Sequence, residues 1–351
     1  MTDKNKNYVR WFADTSLQEV NLVGGKGASL GELKSADIPI PDGFVVTTTA
    51  FRSFLGELDK QHGVIQKIKS LDPEDIRTVE EVTAEIRSMV LAQKIPDDIT
   101  KQIIDALAVL SPESTPLAIR SSATSEDSDE ASFAGLQDTY LWIKDQQQVL
   151  EYILQCWSSL YTPESVSYRL KLDLPEEQLA MGVVVQRMVD SRCAGVMFTR
   201  SPTTGDKSVV TIEASWGLGS SIVSGEVTPD KFVVSKITSE ISSRSIATKQ
   251  IEHIPLEEGG TLEREVDSAR REIACISDGE IMQLLDTARK VEQHYGKPQD
   301  IEWSIDQQGL LFLLQSRPET VWSSKENAPL AKPADKAFDH IFAVMGGKSN
   351  P

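Results

Sequence analysis

The chain has 351 residues, 40% hydrophobic and 25% charged, which suits a soluble globular protein of about two domains or one two-lobed domain. A formal net charge of −17 argues against nucleic acid or anionic membrane as a partner, since both demand basic patches. Three dispersed cysteines without a CxxC pair, four scattered histidines and no long apolar window indicate neither disulfides, a histidine-based metal site, secretion nor membrane spanning, and a cytoplasmic location is expected.

In chain order, Gly24-Gly25-Lys26-Gly27 sets a lysine between glycines ahead of a short helix expected over 28–35. A flexible turn, a helix start and an ammonium group together suit a phosphate. It is not the GxxxxGKS/T loop, because Gly27 follows Lys26. Phe44-Val45-Val46 reads as a strand, Thr48 or Thr49 as the cap of the helix after it, and residues 56 to 110 as helical support. Leu117-Ala118-Ile119 reads as a buried strand that delivers Arg120, a permanently charged fork, to an anion. The loop after it offers Ser121, Ser122, Thr124, Ser125, Ser132, Gly135 and Thr139, a dense set of hydroxyls with one position of free backbone approach. By itself such a stretch is better explained by a turn-rich surface loop, a reading that the rest of the chain overturns. A packing helix is expected from Gln147 to Leu172.

From Met181 the pattern turns to short strands separated by turn signals such as Thr204-Gly205-Asp206 and Gln307-Gln308-Gly309. A single helix over 279–295 interrupts them. Gln186 and Met188, where the Val183-Val184-Val185 strand meets an expected interlobe hinge, are candidates to meet a base edge. Gly217-Leu218-Gly219 lacks the third glycine of a dinucleotide fingerprint, and Gly347-Lys348-Ser349 lacks both the first glycine and the following helix of a phosphate loop. Glu302 and Gln315 are polar positions in otherwise apolar strands, DIEWSID and LLFLLQSR, that read as a hairpin. A carboxylate and an amide oxygen on one face suit Mg²⁺ shared with a polyphosphate. Arg317, two residues past Gln315, falls on the same face and can reach a phosphate, although a cross-strand Glu/Arg pair explains that face equally well.

Taken together, VGGKGASLGEL, IPIPDGFVVTTTAF, LAIRSSATSEDSDEASFAGLQDTYL, VVVQRMV, GVMFTRSP, GLGSSIVSGEVTPDKF, QDIEW and LLQSRPET resemble, in order, the N-terminal nucleotide-binding domain of the pyruvate phosphate dikinase and phosphoenolpyruvate synthase family, which includes the rifampin phosphotransferases. The resemblance runs over roughly residues 15 to 322. It implies an α+β, ATP-grasp-like two-lobed fold with ATP in the interlobe cleft. The expected divisions are an N-terminal lobe over 1–180, a β-rich lobe over 181–322 and a linker or tail over 323–351. It further implies that Lys26, Arg120 and Arg317 contact phosphates and act catalytically, that Gly135 and Thr139 belong to the phosphate-covering loop, that Gln186 and Met188 lie by the adenine, and that Glu302 and Gln315 hold Mg²⁺. Ser220 departs from the family, which usually has glutamate after GLG, so the role of that position and of the nearby Glu213 and Glu226 is open.

Family members move the β-phosphate of ATP to a histidine on a swivelling domain, releasing AMP and phosphate. None of the four histidines here has the glycine- and threonine-rich setting of that residue, so the expected partner is a separate subunit carrying the swivel and substrate domains. The starting methionine and the tail favour such a subunit, similar to phenylphosphate synthase and methylbenzyl phosphate synthase. The alternatives are an excised domain of a phosphoenolpyruvate synthase or rifampin phosphotransferase, and a non-catalytic ATP sensor. The final acceptor and the oligomeric state are not encoded in these residues.

Overall fold

A computed structural model of the chain describes residues 7–124, 138–320 and 322. The first part of the chain runs β1 (Val9–Trp11), α1 (Val20–Ser35), β2 (Gly43–Val46), α2 (Thr48–His62), α3 (Val64–Lys69), α4 (Ile76–Ala92), α5 (Asp97–Leu110), β3 (Leu117–Ala123), β4 (Thr139–Ile143), α6 (Gln146–Ser159), α7 (Pro163–Lys171) and β5 (Met181–Arg187). Its five strands form one antiparallel sheet in the order β1-β2-β5-β3-β4. The second part runs β6 (Ser191–Phe198), β7 (Val209–Trp216), α8 (Ser220–Val223), β8 (Asp230–Ser235), β9 (Ile241–Ser245), β10 (Ile251–Pro255), β11 (Thr261–Glu265), α9 (Asp278–Tyr295), β12 (Gln299–Asp306) and β13 (Leu311–Pro318). Six of these strands form a second sheet in the order β13-β12-β6-β7-β8-β9, while β10 and β11 make a separate hairpin. This is the α+β, two-lobed arrangement expected from the sequence.

The lobe boundary falls later than residue 180. β5 lies at the centre of the first sheet, hydrogen-bonded to β2 and β3, so the chain crosses to the second sheet only at Met188–Asp190. The reason is the apolar run Val183-Val184-Val185, which is buried on both faces. Val183 and Val185 join a core with Phe51, Phe54 and Trp157, while Val184 faces the other way into a second core with Leu30, Ile212, Leu284 and Trp303. A strand covered on both sides needs no polar alternation.

Other departures have local causes. The expected helix from Gln147 to Leu172 is two helices, because Pro163 begins α7 and the Thr162 side chain caps it by accepting from Ser165 N–H at 3.3 Å. Arg120 sits within β3 rather than at its end. The expected helix over 279–295 is found as α9, opened by a reciprocal Ser277/Glu280 capping box and closed by Gly296 at φ 66°.

Helix α1 joins the lobes. Its glycine-rich start is kinked at Gly24, whose φ of 72° and ψ of 173° suit glycine alone. A Cβ there would lie 2.0 Å from the Ser122 carbonyl oxygen of β3. The Ser122 hydroxyl seals the joint, donating to Val23 C=O at 2.8 Å and accepting from Gly27 N–H at 3.1 Å. Further along, the Ser29 hydroxyl donates to Ser316 C=O of β13 at 2.5 Å. One helix is thereby fastened to both sheets. Among the described residues all three cysteines are buried free thiols, and no helix is long and apolar enough to cross a membrane.

Candidate functional site

Where β3 of the first sheet meets the β12–β13 hairpin of the second, a cleft of about 300 Å³ opens, and residues from both sheets line it. Arg120 is its centre. Its Nη1 donates to Leu314 C=O at 2.9 Å, and its Nη2 donates to Glu302 Oε2 at 2.9 Å and to Gln315 Oε1 at 2.8 Å. Glu302 and Gln315 face each other across the hairpin, as the two polar positions within apolar strands implied. The register slips immediately after Glu302, so that Trp303 pairs with Leu313 and Leu314 has no partner. Such a bulge frees a backbone group from the ladder. The Leu314 carbonyl oxygen that it frees is the one Arg120 takes, a contact without any sequence signal.

Thr139, paired with Arg120 across β3 and β4, lines the cleft, as do Gln186 and Met188. Gln186 is buried and held in place by donating from Nε2 to Pro41 C=O at 3.1 Å. Arg187, Val189 and Ser191, which the sequence did not single out, also contribute to the wall. Gly135 lies outside the described residues, as do Ser125 and Ser132.

Two residues expected at phosphates do not line the cleft. Lys26 is buried in the first turns of α1. It is within electrostatic reach of Cys156, whose thiol burial and the Asp138 charge push up in pKa and whose rise Lys26 opposes. Arg317 lies further along the Gln315 face, about half exposed, with its Nε 3.7 Å from Asp300 Oδ2.

Asp300 faces that distant cation, and its buried Oδ1 has no hydrogen-bond partner among the described residues. Burial pushes its pKa up from 3.8 to about 6, with Arg317 pulling it down and Glu319 adding to the rise. The folded state therefore prefers the neutral acid. Its contribution to stability is complete below the unfolded pKa near 4 and is lost as pH rises through about 6, amounting to roughly 3 kcal/mol for a shift of about two units. Asp300→Asn is expected to stabilise the chain at pH 7.5 by up to about 3 kcal/mol and to leave it unchanged near pH 4. Urea denaturation at both pH values checks this, and an equal effect at the two would refute it.

The Glu302 and Gln315 oxygens meet one positively charged nitrogen at near-equal distances, so the pair already seats a cationic group. Two hard oxygen ligands are also what Mg²⁺ takes from a protein when phosphates and water complete its shell. Among the described residues no cluster of three or more His, Cys, Asp or Glu forms a self-sufficient metal cage. The donor set fits a shared cation and not a dedicated structural one.

A probable phosphoenolpyruvate synthase of Methanothermobacter thermautotrophicus is 41% identical over 322 residues, covering 91% of this chain and 47% of that protein. A rifampicin phosphotransferase of a Streptomyces species is 40% identical over 299 residues, covering 85% of this chain and 34% of that protein. The chain thus spans less than half the length of either relative. Among solved structures, the D-cycloserine synthetase DcsG overlaps 82% of this chain and 59% of its own at 12% identity with a TM-score of 0.26, too loose an overlap to define the fold. The sequence model of the pyruvate phosphate dikinase AMP/ATP-binding domain matches residues 20–337, and the chain belongs to that family.

Proposed function

We propose that the chain is the ATP-binding component of a dikinase-type phosphotransferase, moving the β-phosphate of ATP to a histidine on a separate swivelling subunit and releasing AMP and phosphate. The observation that carries this reading is the convergence of Arg120, Glu302 and Gln315 at the seam between the two sheets, with Arg120 and Glu302 on the wall of a cleft that both lobes line and Gln315 bonded to Arg120 behind it. ATP would lie in that cleft in the ATP-grasp-like manner, with its base beside Gln186 and Met188 and its phosphates towards Arg120 and Thr139. Glu302 and Gln315 would hold Mg²⁺, which when bound neutralises charge on the phosphate oxygens. Arg120 would orient and neutralise the transferring group through a planar fork. Lys26 and Arg317, set back from the cleft wall, would join the phosphates as the lobes close, and Gly135 with Thr139 would cover them. Water exclusion and positioning, more than covalent chemistry, would carry the rate.

The subunit reading places the accepting histidine and a small alcohol or phenol site on the partner, as in phenylphosphate-synthase-type enzymes. The test is AMP release by the chain alone and with the candidate partner, screened over phenols, pyruvate and rifamycin antibiotics. Partner-dependent AMP release with a phenol is the expected result. Turnover with pyruvate or an antibiotic would replace the subtype with the corresponding synthase or antibiotic kinase. ATP binding without AMP release under any of these conditions would make the chain a sensor.

A further inference from the structure

Leu218, Gly219, Ser220, Val223 and Ser224 form one stretch of the cleft wall. Behind Ser220 stands a histidine from the β10–β11 hairpin. Ser220 Oγ and His253 Nδ1 are 2.7 Å apart, and His253 Nε2 is 3.1 Å from Glu226 Oε2. A carboxylate accepting from Nε2–H fixes that tautomer, and the Nδ1 lone pair is then free to accept the proton of the Ser220 hydroxyl. Hydroxyl, imidazole and carboxylate stand in the order in which an activated nucleophile, its base and the base's orienting group are found.

The backbone builds this arrangement. Leu218 N–H donates to His253 C=O at 2.9 Å, which docks the hairpin against the segment leading into Ser220. That approach requires glycine at 217, where φ is 72° and a Cβ would lie 2.4 Å from the His253 carbonyl oxygen. The first glycine of the failed dinucleotide fingerprint therefore serves to bring a histidine up to a serine. Packing does not explain the hydroxyl, because Ser221 is the buried member of the pair and Ser220 is the one on the cleft wall.

We propose that Ser220 is a phosphoryl-acceptor site, phosphorylated by the nucleoside triphosphate bound in the same cleft, with His253 as general base and Glu226 as the residue that positions its ring. The inference rests on reading the cleft as an ATP site. In the transfer, the bond from Ser220 Oγ to the γ-phosphorus forms while the bond from that phosphorus to the bridging oxygen breaks. ADP leaves with the electron pair, and the hydroxyl proton passes to His253 Nδ1 and from there to solvent. The product carries a charge of about −1.5 to −2 on the cleft wall, which opposes rebinding of a polyphosphate and makes the reaction self-limiting.

The full chain is incubated with γ-labelled ATP and Mg²⁺, quenched in acid and mapped by mass spectrometry, while binding of a non-hydrolysable ATP analogue is measured by calorimetry. Expected is a single acid-stable phosphate on Ser220, formed in step with ADP. Ser220→Ala loses it, Ser220→Thr retains it, and His253→Asn slows it by about 100-fold with analogue affinity unchanged. Glu226→Ala lowers the maximal labelling rate without moving the half-saturating ATP concentration, a split that lost packing alone would not give. Analogue binding without acid-stable phosphate, or the same label persisting in Ser220→Ala, overturns this inference and leaves the cleft assignment standing. Failure of the analogue to bind overturns both.

Discussion

Arg120→Ala is expected to lower partner-dependent AMP formation by about 10³-fold or more, the scale on which a transition-state arginine acts in phosphoryl transfer. It is also expected to leave the fold intact, and the geometry says why the two effects separate. Arg120 makes three hydrogen bonds across the seam, to Leu314 C=O, Glu302 and Gln315. Their loss costs on the order of 1–3 kcal/mol, because Glu302 is partly exposed and its carboxylate recovers water in the open cleft. Domain stabilities of about 5–15 kcal/mol absorb that, and the lobes remain fastened through α1, by Ser122 on β3 and by Ser29 on β13. Arg120→Lys keeps the charge and restores little activity, since an ammonium cannot reach Leu314 C=O and the Glu302/Gln315 pair with one planar fork. Labelled AMP release checks the rate, and thermal melting checks the fold. Retention of AMP formation within tenfold in Arg120→Ala would remove Arg120 from the chemistry.

The hairpin half of this constellation was legible in the sequence and the meeting of the lobes was not. Glu302 and Gln315 stand out because each is polar inside an apolar strand and a glutamine-glycine turn lies between them, so period-two geometry puts them opposite one another. Arg120 was legible as a charge at a buried strand, but its partners lie 182 and 195 residues away, and no local pattern states which sheet edges meet. The Leu314 bulge is one residue of register, invisible to alternation that is read in pairs. The place of β5 within the first sheet is hidden for a related reason. Its continuous valines report burial on both faces, and burial alone does not say between which neighbours. Lys26 shows how one motif can carry two readings. A lysine among glycines at a helix start looks like a phosphate ligand, yet the close approach of Ser122 already gives Gly24 a structural purpose. His253 meets Ser220 and Glu226 through a docked hairpin, a contact that no spacing in the chain encodes.

A second large effect is expected at the opposite pole of the same contact. One nitrogen of Arg120 is bonded to both oxygens that would hold a metal ion, so guanidinium and metal compete for one anionic seat. Hydrogen bonds to charged groups contribute about 1.5–3 kcal/mol. Arg120→Met, which keeps the length and removes the charge, is therefore expected to raise the affinity of the nucleotide-free chain for Mn²⁺ by about ten- to a hundredfold, at 1.4 kcal/mol per tenfold. Electron paramagnetic resonance of free Mn²⁺ reads this directly and needs no turnover. Adding Glu302→Ala to Arg120→Met cancels the gain, whereas Asp300→Ala, two residues away, does not. If Arg120→Met binds Mn²⁺ no better than the parent chain, then Glu302 and Gln315 are a seat for arginine alone. With the gain present, the same pair serves two cations in turn: Arg120 before nucleotide arrives, and the metal once phosphates give Arg120 another anion to hold.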